Sequence, residues 1–328
     1  MKKMPEITEW EDGIKQVKIT MSFPLRWVNS YLVQGIDGRV TVIDPGPRSE
    51  GTEKEWDEVL DKLGIQYTHI HEIVLTHHHP DHYGLSGWMQ ERSGAPVLMS
   101  QRSWQEANYM WGSESSLNED MPRWFGRHGM PSALEIPLRE HLESFDSQVT
   151  PAPHVQFLDE AEPLMMGGRL WKPVETGGHA PGHVSLYQPE LQLILCGDAV
   201  LPQISPNVSL LPGSDPQPLH SYLNGLQKLG HLKVQNAYPG HRNPFGHFEA
   251  RTEALLQHHE ERLTRIAAML QEGALSGYEV CIRLFGDKLG IHQFRFAMSE
   301  ALAHLIELVR RGEAEMDERP EGCRFHSR

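Results

Sequence analysis

No stretch of the sequence approaches the roughly 20 consecutive apolar residues that a membrane-spanning helix requires, so no helical span and no membrane partner are expected. Cysteine is scarce: Cys196, Cys281 and Cys323 are odd in number, far apart and outside any CxxC spacing. That pattern excludes a disulfide framework and a thiolate zinc site, and it points to a reducing, cytoplasmic setting. Positive charge is also in deficit, with a formal net charge of -14. A field of that sign repels phosphate backbones and argues against nucleic acid as a partner, short of a local basic groove. The opening Met1 to Asp12 has two lysines and then acidic residues where an export signal would place an apolar run, so a soluble chain without a signal is expected.

Histidine, by contrast, is abundant, with 20 in 328 residues, and neutral imidazole is the commonest protein metal ligand. The spacing of apolar residues shows where these histidines fall. Strand-like alternation covers Gln16 to Ser22, Asn29 to Gln34 and Val40 to Ile43, the last ending in the turn Asp44-Pro45-Gly46-Pro47. Trp56, Val59, Leu60 and Leu63 mark one face of a helix from Thr52 to Leu63, and a buried strand from Glu72 to Thr76 follows. Asp81 to Arg92 reads as one helix, and Ala95 to Ser100 as a strand. A helical insertion occupies about 101–150, broken near Gly112 and Gly129. Strands return at Val155 to Leu158, Leu164 to Val174, Val184 to Tyr187 and Leu191 to Cys196. A Pro/Ser-rich loop, a helix from Leu219 to Leu229 and a strand from Val234 to Ala237 come next. From Phe248 the period turns helical, with pieces at Ser276 to Phe285 and Phe294 to Arg311. The expected division is a catalytic domain over 1–247 and a small, mostly helical domain over 248–328.

The strand ending at Thr76 delivers His77-His78-His79-Pro80-Asp81-His82, an H-x-H-x-D-H segment whose three imidazoles and carboxylate are ligands typical of zinc and related divalent ions. Leaving a strand, His77 and His79 can aim at one ion while Asp81 and His82 aim at a second. Two catalytic ions need more donors than these four. Strand-end loops offer them: Gly177-Gly178-His179-Ala180-Pro181-Gly182-His183, Cys196-Gly197-Asp198 and Tyr238-Pro239-Gly240-His241.

This ordered series, with Asp44-Pro45-Gly46 before it, resembles the metallo-beta-lactamase superfamily from roughly Asn29 to His241. The resemblance implies an α/β fold, an αββα four-layer sandwich of two sheets between helix layers. By motif position it implies that His77, His79 and His179 hold a first ion, that Asp81, His82 and His241 hold a second, and that Asp198 bridges them. One motif departs from the family pattern. The usual Pro-Gly-His is Gly177-Gly178-His179 here, while an intact Pro181-Gly182-His183 lies four residues on, so two registers stand. The string Gly178-His179-Ala180-Pro181-Gly182-His183-Val184-Ser185-Leu186-Tyr187 matches many members with His179 in the ligand slot, which would leave His183 a supporting role. Asp44 reads equally as a turn residue or as a support for a ligand histidine. His78, pointing away from its neighbours, is expected to serve the scaffold, and Tyr83 to pack rather than to meet substrate. His128, His154 and His220 have no partner pattern.

The chemistry so implied is hydrolysis by hydroxide held between two divalent ions, Zn2+ first and Mn or Fe as alternatives, with Asp81 as the catalytic residue that orients or shuttles the proton. A small ester, thioester or lactone is the expected substrate, since Trp104, Tyr109, Met110, Trp111, Trp124 and Phe125 of the insertion can form an aromatic wall over the ions. The alternative is an endoribonuclease acting on single-stranded RNA, because the C-terminal segment resembles the winged-helix-like tail of one branch of the family. Acidic residues match or exceed basic ones in that tail, which weighs against RNA. The stripe Leu302, Leu305, Ile306 and Val309 offers either a homodimer contact or a core face.

Overall fold

The two groups of strand signals become two sheets. The computed structural model describes residues 5–10, 12–21 and 25–328; the start of the segment read for an export signal, residues 1–4, and the expected strand end at Ser22 lie outside them. The first sheet runs in the order β1 (Ile7–Glu9), β2 (Ile14–Thr20), β3 (Trp27–Gln34), β4 (Val40–Ile43), β5 (Ile70–Val74), β6 (Val97–Ser100) and β7 (Val155–Leu158). Its early pairs are antiparallel hairpins, whereas β4 to β7 pair in parallel because a helical crossover separates each from the next. The second sheet contains β8 (Leu164–Met166), β9 (Arg169–Thr176), β10 (His183–Gln188), β11 (Leu193–Gly197) and β12 (Asn236–Pro239), in the spatial order β12-β11-β10-β9-β8.

Three apolar clusters hold the layers together. Between the sheets lie Ile14, Tyr31, Ile43, Val74, Trp171, Leu186, Leu195 and Tyr238, drawn from both. The outer face of the first sheet, through Ile19, Leu32, Val42 and Ile73, packs on Trp56, Trp88 and Met89. These come from α1 (Glu50–Leu63) and, beyond the short α2 (Pro80–Tyr83), from α3 (Ser86–Ser93). Ser49 caps α1 in a reciprocal box with Thr52, so removing that hydroxyl would cost about 0.5–2 kcal/mol. The insertion folds as α4 (Gln101–Trp111), α5 (Leu117–Arg127) and α6 (Glu135–Glu143) between β6 and β7. On the other side α7 (Pro218–Gly230) lies on the second sheet, with α8 (Phe248–Gln271) and α10 (Ile291–Arg311) packed against that helix and α9 (Gly277–Phe285) against α10. Their apolar faces share one cluster with Ile194 and Cys196 of β11 and with Phe125 and Leu138 of the insertion. The α/β four-layer sandwich with a helical C-terminal region is therefore borne out.

Several local expectations change. The helix read over Asp81 to Arg92 is two, because the Leu85 amide donates to Gly46 O at 2.8 Å instead of continuing the helical ladder. The strand read over Leu164 to Val174 folds back as the β8–β9 hairpin at Gly167-Gly168, with φ of 58 and 75, the left-handed pair that a tight hairpin turn requires. The C-terminal region also ends in an antiparallel hairpin, β13 (Ala314–Arg319) and β14 (Gly322–Ser327). Its buried Ala314, Cys323 and Phe325 alternate with charged neighbours, and Phe325 exchanges two 2.8 Å backbone bonds with Leu275. Leu302 and Leu305 lie fully within the chain's own core, with Ile306 and Val309 packed against it. Leu302 and Leu305 of that stripe are used for packing.

Candidate metal centre

Parallel pairing brings the ends of β4 and β5 to one edge of the sandwich, and those of β11 and β12 face them across it. His77 and His79 leave β5, Asp81 and His82 sit on α2, His179 lies in the β9–β10 turn, and Asp198 and His241 follow β11 and β12. The loops are laced together by backbone bonds. Val184 N donates to Thr76 O at 2.8 Å, Gly240 N to Gly197 O at 2.8 Å, and Asn29 N to Gly240 O at 2.7 Å. Asn29 Nδ2 adds bonds to Pro239 O at 2.9 Å and Arg242 O at 2.6 Å, which hold the His241 loop against β3. Position 240 admits only glycine, since a Cβ there would stand 2.3 Å from Asp198 Oδ1 and 2.6 Å from His82 Cε1.

The structure brings all seven candidate ligands together, six as two triads and Asp198 between them. Ligand atoms of His77, His79 and His179 lie within 4.8 Å of one another, as do those of Asp81, His82 and His241. Asp198 stands between them: its Oδ2 is 3.7 Å from His179 Nε2 of the first triad and 3.3 Å from His241 Nε2 of the second, and its Oδ1 is 3.6 Å from His82 Nε2. Asp81 Oδ2 is 3.2 Å from His241 Nε2.

The outer nitrogens of four rings are tied off, which fixes where the inner ones point. His82 Nδ1 donates to Asp44 Oδ2 at 2.8 Å, His179 Nδ1 to Asn207 O at 2.8 Å and His241 Nδ1 to Trp27 O at 3.2 Å. Thr76 Oγ1 gives its proton to Asp44 Oδ2 at 2.6 Å and so accepts from His77 Nδ1 at 2.9 Å. Each of these four rings presents Nε2 to the centre, and His77 Nε2 meets His79 Nδ1 at 3.0 Å. Among the described residues, buried His82 Nε2, His179 Nε2 and Asp198 Oδ1 have no hydrogen-bond partner. Buried polar atoms are normally satisfied, and orphaned lone pairs converging beside two carboxylates suit a divalent cation. The residues present therefore fit the ions that the motif implies.

Charge follows the same logic. Burial, helped by neighbouring rings, holds His77 and His79 well below the ordinary imidazole value, and His179 below it, so all three are neutral donors. Around the second triad burial opposes charging too, but carboxylates prevail. Asp198, Asp44 and Asp81 raise His82 well above its usual value, and Asp198 and Asp81 carry His241 to about 10. Asp81 is lowered and Asp198 lowered well below the carboxylate range, because facing imidazoles outweigh burial.

The supporting positions divide clearly. Asp44 is more than a turn residue: at φ 50, which aspartate tolerates better than most side chains, its carboxylate takes Thr76 N at 2.8 Å as well as His82. His183 Nε2 accepts the Asp198 amide at 3.1 Å, so that ring braces the Asp198 loop while His179 stands in the first triad. Trp111 Nε1 donates to His78 O, Tyr83 is buried in the core behind the first sheet, and His128 packs between Trp124 and Phe325. His154 is exposed, and His220 sits half-buried on α7 beside Asn224. Asn29, Thr76 and the carbonyls of Trp27 and Asn207 carried no local signal, because each meets its partner only through the tertiary fold.

A cavity of about 520 Å³ opens onto His79, Asp81, His179, Asp198 and His241. Of the expected aromatic wall, Met110 and Trp111 line it, joined by Met121 and Phe145, which were not singled out. Trp104 instead meets Phe157 edge-on at the surface, Tyr109 bonds to Pro212 O, and Trp124 and Phe125 pack outside the cavity. The far wall comes from the C-terminal region, through Phe285, Leu289, His292, Arg295 and Phe296.

Comparison with known proteins gives matches over most of the chain. Residues 25–241 match the family described as the metallo-beta-lactamase superfamily, and residues 263–328 the one described as its C-terminal domain. A solved metallo-beta-lactamase family protein of Thermus thermophilus is 32% identical with a TM-score of 0.86, covering 97% of this chain and 99% of that chain. The probable metallo-hydrolase YqjP of Bacillus subtilis (strain 168) is 26% identical over 90% of this chain and 91% of its own length. The hydroxyacylglutathione hydrolase GloC of Haemophilus influenzae is 23% identical, over 52% of this chain and 66% of its own.

Proposed function

The chain belongs to the metallo-beta-lactamase superfamily and is a metallo-hydrolase, and from that premise we propose that it uses two divalent ions, zinc in the first instance, to hydrolyse a small ester, thioester or lactone. The observation that carries the dinuclear reading is the Asp198 carboxylate between two triads whose ring nitrogens are turned inward. His77, His79 and His179 would hold one ion, Asp81, His82 and His241 the other, and Asp198 both. Bound there, the ions would supply Lewis acidity toward an acyl oxygen and lower the pKa of water toward neutrality.

The remaining work falls to the chain. Asp44 and the carbonyls of Asn207 and Trp27 keep each imidazole in the tautomer that offers Nε2, and that orientation is set before any ligand arrives. Asp81 is ionised and borders the cavity with 21% of its side chain exposed, against 8% for Asp198. Its Oδ atoms are therefore placed to take a proton from the attacking water and to return it to the leaving group. Trp111, Met110, Phe145 and Phe296 exclude bulk water and give an acyl chain an apolar wall. The size and lining of the cavity support a small acyl compound over a polynucleotide, which would call for a basic groove with stacked aromatics. The relative named for hydroxyacylglutathione supports a thioester within that class. Three buried, free cysteines support a reducing cytoplasm.

The test is metal analysis of the purified protein followed by assay against thioesters, lactones and a labelled single-stranded RNA, with Asp81→Ala as control. Near two ions per chain and ester turnover lost in the variant would establish the proposal. Metal-dependent RNA cleavage with inert esters would establish the nuclease alternative, and a protein that binds no metal would overturn both.

A further inference from the structure

We propose that Arg295 is the anion-binding residue of the cavity, and that the substrate is an acyl compound carrying a carboxylate of its own, set away from the scissile bond. The inference rests on the hydrolase reading above, because it concerns the substrate of that same site. It begins from an imbalance among the charged residues that line the cavity. Beyond the metal cluster the described lining residues include two carboxylates, and each already has a cation: Arg102 stands against Glu106, and Arg262 with Asn207 Nδ2 against Glu300. Arg295, near the start of α10, lines the same cavity and makes no ion pair or hydrogen bond among the described residues, and its buried Nε is one of the unsatisfied atoms.

The guanidinium is nevertheless held. It lies over the Phe296 ring at 4.2 Å and the Phe145 ring at 5.0 Å, and both rings belong to the cavity wall. Aromatic faces fix the plane of an arginine while leaving its edge donors unused, and that edge is the fork that matches a carboxylate. Its Nε is cut off from water without a partner, which is costly, so such a residue is kept where a ligand completes it. Burial draws the Arg295 pKa down to about 10 while the nearby Asp81 draws it up, which leaves the side chain charged at neutral pH and within the field of the metal cluster. Once Asp81 is committed to a cation, it offers Arg295 less compensation. A single fork with no lysine among the described lining residues fits a monoanionic carboxylate better than a phosphate dianion, which normally gathers several donors. The substrate so defined spans the cavity, with its acyl carbon at the cluster and its carboxylate at α10.

The experiment measures binding to the metal-loaded protein by calorimetry, using product-like acids of matched length: butyrate, which can meet only the metal end, succinate, which can meet both, and 3-phosphonopropionate. Wild type should bind succinate at least about tenfold more tightly than butyrate, the scale of a charge-assisted bidentate contact. In Arg295→Met that ratio should fall to about one with butyrate affinity unchanged, and Arg295→Gln, which keeps a polar side chain, should behave alike if the first variant fails to fold. Equal affinities in wild type, or a ratio that survives in both variants, would overturn the proposal. Preference for the phosphonate would overturn the carboxylate assignment. Failure of the hydrolase reading would show separately, as a protein that holds no metal and turns over no ester whatever its preference among acids.

Discussion

Among the described residues two regions gather histidine with carboxylate in a buried place, and one of the two is built for a cation. At the strand ends, outer ring nitrogens are spent on Asp44, Thr76 and backbone carbonyls, so inner nitrogens converge with two carboxylates that make no ion pair with lysine or arginine among the described residues. Between α8 and α10, His259, Glu300 and His304 are equally buried and close enough to be mistaken for a site. There His304 Nδ1 donates to Glu300 O at 2.8 Å, its Nε2 takes the His259 Nδ1 proton at 3.0 Å, and the Glu300 carboxylate belongs to Arg262 and Asn207. The electrostatics agree. Burial takes His259 to about 2 and His304 to about 3, with no excess of anion to lift them, whereas His241 is lifted to about 10. Residue type makes both clusters candidates; the destination of the second ring nitrogen separates them.

The sharpest way to break this comparison is to remove the central side chain of each cluster. Asp198→Asn leaves the shape of the metal centre but removes the carboxylate charge between its two triads, and activity and bound metal should fall together, activity by more than about a hundredfold, beyond what supporting residues usually cost. Metal analysis by mass spectrometry beside turnover checks it, and a variant that keeps its full metal content would contradict the bridging role. His304→Ala should act in the opposite sense. It leaves His259 Nδ1 without an acceptor and opens a void between α8 and α10, so urea unfolding should show a loss of about 2–4 kcal/mol with metal per chain unchanged. Loss of a metal ion in that variant would show the C-terminal cluster to be a site after all.

A smaller change probes the outer layer alone. Asp44→Asn keeps the bond length to His82 but removes the charge that fixes its tautomer, so metal affinity should fall about 10–100-fold while the fold persists. A chelator competition titration gives the number, and an unchanged affinity would return Asp44 to the role of a turn residue.

Much of this was legible in the amino-acid order, and the limits have physical causes. H-x-H-x-D-H is dense because one strand-to-helix loop supplies four donors, and Asp198 and His241 stand out because each ends an apolar strand. The two-sheet architecture follows from strand signals interrupted by helical ones, and the family match agrees with it. What stayed hidden is contact between distant segments. Asn29 looks like any polar strand residue until β3 meets the His241 loop, and Asn207 contributes only a carbonyl, which every residue has. The β13–β14 hairpin escaped because its alternation is diluted by charge, as in Ala314-Glu315-Met316-Asp317. Arg295 escaped because its lack of a partner is a property of the cavity, not of its neighbours in the chain.

The finest test of the comparison uses pH. His304 and His259 carry folded values of about 3 and about 2, far below the ordinary 6.5 of the unfolded chain. Above 6.5 both states are neutral and these rings contribute no pH dependence. As pH falls below 6.5 the unfolded chain takes up protons that the folded one refuses, so stability is lost, by up to about 1.4 kcal/mol per pH unit for each imidazole, until the folded value is reached. His304→Gln can keep a donor for Glu300 O and an acceptor for His259 but does not titrate. Between pH 6.5 and 5 the wild type should therefore lose up to roughly 2 kcal/mol more than this variant. The comparison is made on metal-stripped protein, where release of ions from the strand-end cluster cannot contribute to the slope. Urea midpoints at both pH values supply the measurement, and equal losses would mean that His304 takes up its proton in the folded state, which would remove the distinction between a closed brace and an open centre.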